Sequence, residues 1–299
     1  MMRRPNFLIL GAGKCGTTSL YRYLGQHPDV LFSEPKEPTF FDMEYEKGLE
    51  FYWNKYFANW NGEKTVGEAR PINLLLPFVA ARIGESVPAA RLICILRNPA
   101  DRAFSHWWMD RCHADEKMPF TEAIRANFEN IHAGQYFAGE EGARRWKSVV
   151  SPVDLKTRSI RIYLECGYYA QQIRNYRMYF PASQIKLVLF EDLCRDAETV
   201  VRELWAFLGV ESSVPLGDLI PKNVGVTPLM LPIVMLARRL GINEMVPSRI
   251  SSQVHYLTSI IGPKPKIAPA TRRWLVDHYR PHVRELEELL GRDLSHWLE

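Results

Sequence analysis

Apolar positions along the chain fall into two alternating spacings. Phe7 to Leu10 is an unbroken apolar run, and Leu20, Tyr23 and Leu24 then recur at helical spacing until Gly25. This predicts a strand, a loop and a helix. Val30 to Phe32 reads as a short strand. Leu49, Tyr52, Trp53, Tyr56 and Phe57 follow at i, i+3, i+4, i+7 and i+8, and Thr65 to Gly67 gives another short strand. Leu92 to Leu96 is the second strong strand, with Asn98 and Pro99 suited to the N-cap and first turn of a following helix. Further on, Tyr169, Ile173, Tyr176 and Phe180 mark a helix and Ile185 to Phe190 a strand. Val201, Leu204, Trp205 and Leu208 mark a helix ending at Gly209. Leu275, Tyr279, Val283, Leu286 and Leu290 form a last stripe that Gly291 closes.

Strands that alternate with helices, and that are apolar without interruption, belong to a parallel sheet covered on both faces. The expected fold class is therefore α/β, doubly wound, with a mainly parallel sheet flanked by helices. A single domain over 1–299 is expected, with a nucleotide-binding core at about 6–210 and loops and a helix in 211–299 completing it. The proline- and glycine-rich stretches Val210 to Pro232 and Gly262 to Pro269 read as loops of that domain.

Composition narrows the partners. The 38 Lys+Arg against 34 Asp+Glu leave a formal charge of +4, which suits an anionic ligand and falls short of a nucleic-acid binder, so no nucleic acid is expected. The five cysteines are scattered with no CxxC pair, which predicts free thiols, a reducing cytoplasmic setting and no metal. No secretion signal is read at the basic N-terminus. The apolar stretch Thr227 to Leu236 holds two prolines and falls short of the roughly 20 residues of a membrane span, which leaves peripheral contact through an amphipathic helix open.

The strongest chemical signal is Gly11-Ala12-Gly13-Lys14-Cys15-Gly16-Thr17-Thr18-Ser19, placed between the first strand and its helix. Such a loop aims backbone N–H groups and a helix N-terminus at a phosphate or sulfate. It is P-loop-like without being a Walker A sequence, because Lys14 precedes Gly16 instead of following it. The second strong strand leads into Arg97, where an NTPase would carry a magnesium-holding acid, so a second anion site is expected there.

Together these residues resemble the sulfotransferases that use 3′-phosphoadenosine 5′-phosphosulfate (PAPS). Arg97-Asn98-Pro99-Ala100-Asp101-Arg102-Ala103 resembles the family's R-[ND]-P-x-x-R-[AT] pattern, and Ser105 stands eight residues after Arg97 as the family requires. Glu37-Pro38-Thr39-Phe40-Phe41-Asp42 resembles the E-P-x-F-F-D segment of the heparan sulfate and related carbohydrate branch. Gly167-Tyr168-Tyr169 through Phe180-Pro181 resembles its G-x-Y…F-P helix. The resemblance covers most of residues 6–210 and implies the sulfotransferase fold. It also implies PAPS as co-substrate, 3′,5′-adenosine bisphosphate as product, and in-line transfer to a hydroxyl acceptor.

The resemblance implies that Lys14, Cys15, Gly16, Thr17, Thr18 and Ser19 hold the 5′-phosphosulfate and that Arg97 and Ser105 hold the 3′-phosphate. The transfer needs a cation at the leaving phosphate, a role for Lys14, and a proton acceptor near the sulfate. Glu37 is assigned that second role by resemblance, with Glu34 and His106 as rival bases. Glu68-Ala69-Arg70-Pro71 stands where the family lines its acceptor site, which makes Glu68 and Arg70 acceptor candidates. Gly262-Pro263-Lys264-Pro265-Lys266 stands where a late loop closes over the nucleotide, which brings in Lys264 and Lys266.

The acceptor is left open between a carbohydrate, a lipid and another natural product. Trp107, Trp108, Tyr136, Phe137 and the segment Met230 to Leu236 are candidates to line its cleft or to pack in the core. Two other functions compete with sulfuryl transfer: a P-loop-like kinase or NTPase, and a nucleotide-binding protein without turnover.

Overall fold

A computed structural model describes residues 3–112, 115–132, 137–150, 160–220 and 265–299. Strand β1 (Phe7–Gly11) lies at the centre of a five-stranded sheet with β2 (Val30–Phe32), β3 (Thr65–Ala69), β4 (Arg91–Leu96) and β5 (Ile185–Leu189). The order is β2-β3-β1-β4-β5 and every neighbouring pair is parallel. All of β1 and β3, and β4 after Arg91, are buried, which explains why these runs carry apolar residues at successive positions.

Helices cover the sheet in two groups. Helix α1 (Thr17–Leu24) packs on α9 (Ala197–Leu208), which follows the short α8 (Phe190–Arg195). The other group joins α3 (Pro77–Ser86), α7 (Tyr169–Arg177), α4 (Pro99–Cys112) and a long C-terminal helix, α10 (Pro269–Leu290). Helices α2 (Gly48–Tyr56), α5 (Phe120–His132) and α6 (Gly139–Val150) complete the described set, together with a π-helical turn at Phe40–Glu44. Among the described residues no helix is long and apolar enough to cross a membrane.

The helix ends bear out the sequence reading. Asn98 Oδ1 accepts from Ala100 N at 3.0 Å and Asp101 N at 3.3 Å, capping α4 at two of its unpaired donors. Asn98 Nδ2 also donates to Trp297 O at 3.1 Å, which fastens the buried C-terminal tryptophan beneath the end of β4. Gly209 and Gly291 take left-handed conformations after α9 and α10. Two boundaries differ, in that β3 runs on to Ala69 and Phe190 opens α8 instead of ending β5, and three helices, α3, α5 and α6, were not predicted. Thr227 to Leu236 lies outside the described residues.

Candidate active site

The loop after β1 turns sharply at Gly11, φ +150°, where an added Cβ would lie 2.7 Å from Pro71 O. Gly16, φ +92°, opens α1 with the Phe190 ring 3.1 Å from where a Cβ would stand, so glycine is required both for backbone sign and for space. Lys14 between them also has positive φ, 71°, an unusual conformation for a lysine that the loop enforces. Its Nζ reaches over α4 to 3.3 Å from Met109 Sδ.

Arg97, at the end of β4, closes on the loop from the other side. Its Nη1 donates to Lys14 O at 3.4 Å and its guanidinium lies 4.9 Å from the Phe190 ring centroid. Tyr169 fixes the joint from α7: its hydroxyl donates to Arg97 O at 2.9 Å and lies 3.8 Å from Cys15 Sγ. The Cys15 thiol is buried and pushed up to about 11 by desolvation, so Cys15 serves the loop through its backbone and packing, not as a thiolate. Ser105 lies on α4, part-exposed, and Thr17 is buried while Thr18 and Ser19 remain accessible. The structure thus places the Arg97 side chain against the loop that carries Lys14.

Behind the loop lies a polar cluster that sequence reasoning missed. Arg102 is buried, donating through Nη2 to Tyr163 O and through Nη1 to Gly13 O at 3.5 Å, while its Nε has no partner among the described residues. Tyr163 donates to Asp110 Oδ2 at 2.9 Å, and Glu116 beside it pairs with Arg161 at 2.8 Å. Burial pushes Asp110 up to about 6, against the opposing pull of Tyr163 and Lys14. Desolvation holds Lys14 below the ordinary lysine value; Asp110 opposes that shift, and the charges of Arg102 and Arg97 add to it. His106, the rival base, is a part-buried imidazole whose pKa is driven well below its ordinary value by burial and by the charges of Arg102 and Lys14. The motif arginine Arg102 was visible in the sequence, but its partners lie on other elements.

Glu37 is exposed and pairs with Lys36, whose Nζ lies 3.0 Å from Glu37 Oε1 and 3.2 Å from Thr18 Oγ1. The candidate base is therefore tied to the phosphate loop through one ammonium. Glu34 is also exposed, with its backbone N–H held by Tyr56 O at 2.9 Å.

Several acceptor assignments need correction. Glu68 is fully buried at the end of β3, accepting from Tyr52 and, at 2.9 Å, from Asn73 Nδ2, and burial pushes it up to about 8. Arg70 forks onto buried Asp42, with Nε–Oδ1 2.8 Å and Nη2–Oδ2 2.6 Å, and Trp146 Nε1 donates to the same Oδ2 at 2.9 Å. Its charge is spent inside the protein instead of facing a ligand. Trp107 is buried, stacked on Phe104 and bonded to Met118 O at 3.0 Å, which places it in the core. Lys266 is exposed, whereas Lys264, Tyr136 and Met230 to Leu236 lie outside the described residues.

Comparison with known proteins bears on the family and the fold. The model of the sulfotransferase domain family matches residues 4–224. The chain is 32% identical over 213 residues to mouse bifunctional heparan sulfate N-deacetylase/N-sulfotransferase 4, a match covering 69% of this chain and 22% of that protein. It is 29% identical over 294 residues to human heparan sulfate glucosamine 3-O-sulfotransferase 6, covering 98% of this chain and 74% of the relative. The chain thus spans only about a fifth of the length of the bifunctional relative. The crystal structure of a sulfotransferase from Alicyclobacillus acidocaldarius superposes with a TM-score of 0.70 at 28% identity over 100% of both chains. The family match, the parallel sheet and the cationic loop agree, and the chain belongs to the sulfotransferase domain family as an enzyme of the sulfotransferase class.

Proposed function

We propose that this protein transfers a sulfuryl group from PAPS to a hydroxyl, with a carbohydrate as the best-supported acceptor class. The observation that carries the reading is the convergence of Lys14 and Arg97 on one glycine loop, because two cations from adjacent strands fit a nucleotide with separated phosphates. The carbohydrate is supported by the human relative named for glucosamine 3-O-sulfation, which matches nearly the whole chain.

The residues present fit that donor. Loop N–H groups, the Thr18 and Ser19 side chains and Lys14 would hold its 5′ group, and Arg97 with Ser105 its 3′-phosphate. Bound PAPS supplies an activated sulfuryl group on a phosphate leaving group. Lys14 provides positive charge where that phosphate gains negative charge, and its partly dehydrated setting strengthens the effect. Glu37, tethered beside Thr18, takes the proton of the acceptor hydroxyl. His106 is only part-exposed, against Arg102, Asp110 and Tyr163, whereas Glu37 is exposed beside Thr18, which makes Glu37 the better-placed base.

Adenosine 3′,5′-bisphosphate at about 100 times its Kd is expected to stabilise the protein by about 2.7 kcal/mol in a thermal shift without magnesium. A screen of glycan, lipid and aromatic alcohols with labelled PAPS then identifies the acceptor by mass. Glu37→Gln should keep bisphosphate binding and lose transfer, whereas Arg97→Ala weakens both. Stabilisation by Mg-ATP alone would overturn the proposal in favour of an NTPase.

A further inference from the structure

We propose that Lys36 is a positioning residue that couples occupancy of the phosphate loop to the release of Glu37. The inference rests on the roles proposed above for the loop and for Glu37. A single ammonium is shared between a loop hydroxyl, Thr18 Oγ1 at 3.2 Å, and the carboxylate of Glu37 at 3.0 Å. No other described contact joins that carboxylate to the loop.

Three features make the lysine a movable link on a fixed base. Its backbone is pinned: Lys36 O accepts from Ala69 N at 3.4 Å and from the hydroxyl of buried Ser33 at 3.2 Å, and the same hydroxyl donates to Pro35 O at 3.0 Å. Its side chain is 19% exposed and runs past Tyr21 of α1, with Nζ 5.9 Å from the ring centroid, so its travel is confined to the gap between α1 and the segment 33–39. Its present anionic partner is weakly held, because Glu37 is 49% exposed and an ion pair so hydrated contributes little.

A phosphate brought to the loop hydroxyls competes for this ammonium with a higher charge and with better screening from water. Lysine carries three donors on a flexible stem, so it can keep Thr18 while exchanging Glu37 for the anion. The exchange frees Glu37 Oε1, which Lys36 otherwise occupies, to accept from a hydroxyl. The base is thus presented to an acceptor after the donor has arrived. An acceptor entering first meets a carboxylate with one of its two oxygens already engaged.

Calorimetric titration with adenosine 3′,5′-bisphosphate tests this in four proteins: the wild type, Glu37→Gln, Lys36→Met and the double variant. Removing the Glu37 charge should tighten binding by about 2- to 5-fold when Lys36 is present, the range expected for releasing an exposed ion pair. In the Lys36→Met background the same substitution should have a clearly smaller effect, and Lys36→Arg should preserve the coupling. An equal effect of Glu37→Gln in both backgrounds overturns the link while leaving the loop assignment standing. Failure of all the proteins to bind the bisphosphate, with melting temperatures unchanged, overturns the loop assignment itself.

Discussion

Asp42 and Arg70 offer a direct way to separate a structural charge from a ligand-binding one. Asp42 is fully buried within the π-helical turn and accepts both Arg70 bonds and the Trp146 indole N–H. Arg70 is only 11% exposed. Asp42→Leu strands a nearly buried guanidinium, and Arg70→Met strands a buried carboxylate with one remaining donor, so each is expected to cost about 3–5 kcal/mol. For 299 residues the entropy of unfolding is about 0.6 kcal/mol per kelvin, which translates the loss into a fall in Tm of about 5–8 °C. The double variant leaves only Trp146 Nε1 without its acceptor and is expected to lose about 1–3 kcal/mol, less than either single change at its upper range and far less than their sum. Urea unfolding of the four proteins, read at constant m, measures these values. A single-variant cost below 1 kcal/mol, or a double-variant cost equal to the sum, would refute the argument. An Arg70→Met protein of normal stability with a raised KM for acceptor would return Arg70 to the ligand.

Two pH experiments follow from the buried groups. Glu68 in the folded state titrates at about 8, above its ordinary 4.5, so the native protein holds a proton that the unfolded chain releases between those values. Stability must therefore fall as pH rises through that window, by up to about 1.4 kcal/mol per pH unit, and Glu68→Gln should gain stability relative to wild type in urea unfolding from pH 5.5 to 8; a constant difference contradicts the assignment. Lys14 is held below its ordinary 10.5, so bisphosphate affinity should decline at a lower pH than an exposed lysine would give, and Lys14→Arg should flatten the profile; parallel profiles count against Lys14 as the loop cation.

The elements that could be read from sequence were those whose cause is local. The run Phe7 to Leu10, the glycines around Lys14 and the Asn98-Pro99 cap each act through neighbours within a few residues. Helix α3 was hidden because Leu74 to Ala81 is apolar at nearly every position and shows no single face. Arg70 resembled a ligand cation because Asp42, 28 residues earlier, is brought beneath it only by the packing of the π-helical turn. Trp107 was ambiguous for the same reason: Phe104 is one helical turn away, but Phe120 arrives from α5. Lys36 was overlooked beside Glu37, since its second partner, Thr18, belongs to another loop.

The central place of β1 has a further consequence for how this enzyme can diversify. Its neighbours β3 and β4 divide the residues around the loop into two uninterrupted stretches of chain, one carrying Lys36 and Glu37 and the other Arg97 and Ser105. On the proposed assignment, acceptor handling is inherited mainly through the first stretch and donor recognition through the second, with α3 as the seam between them. Exchange of genetic material at that seam can therefore bring in a new acceptor preference without rebuilding the nucleotide site, provided that β1, the loop through Ser19 and α1 are retained.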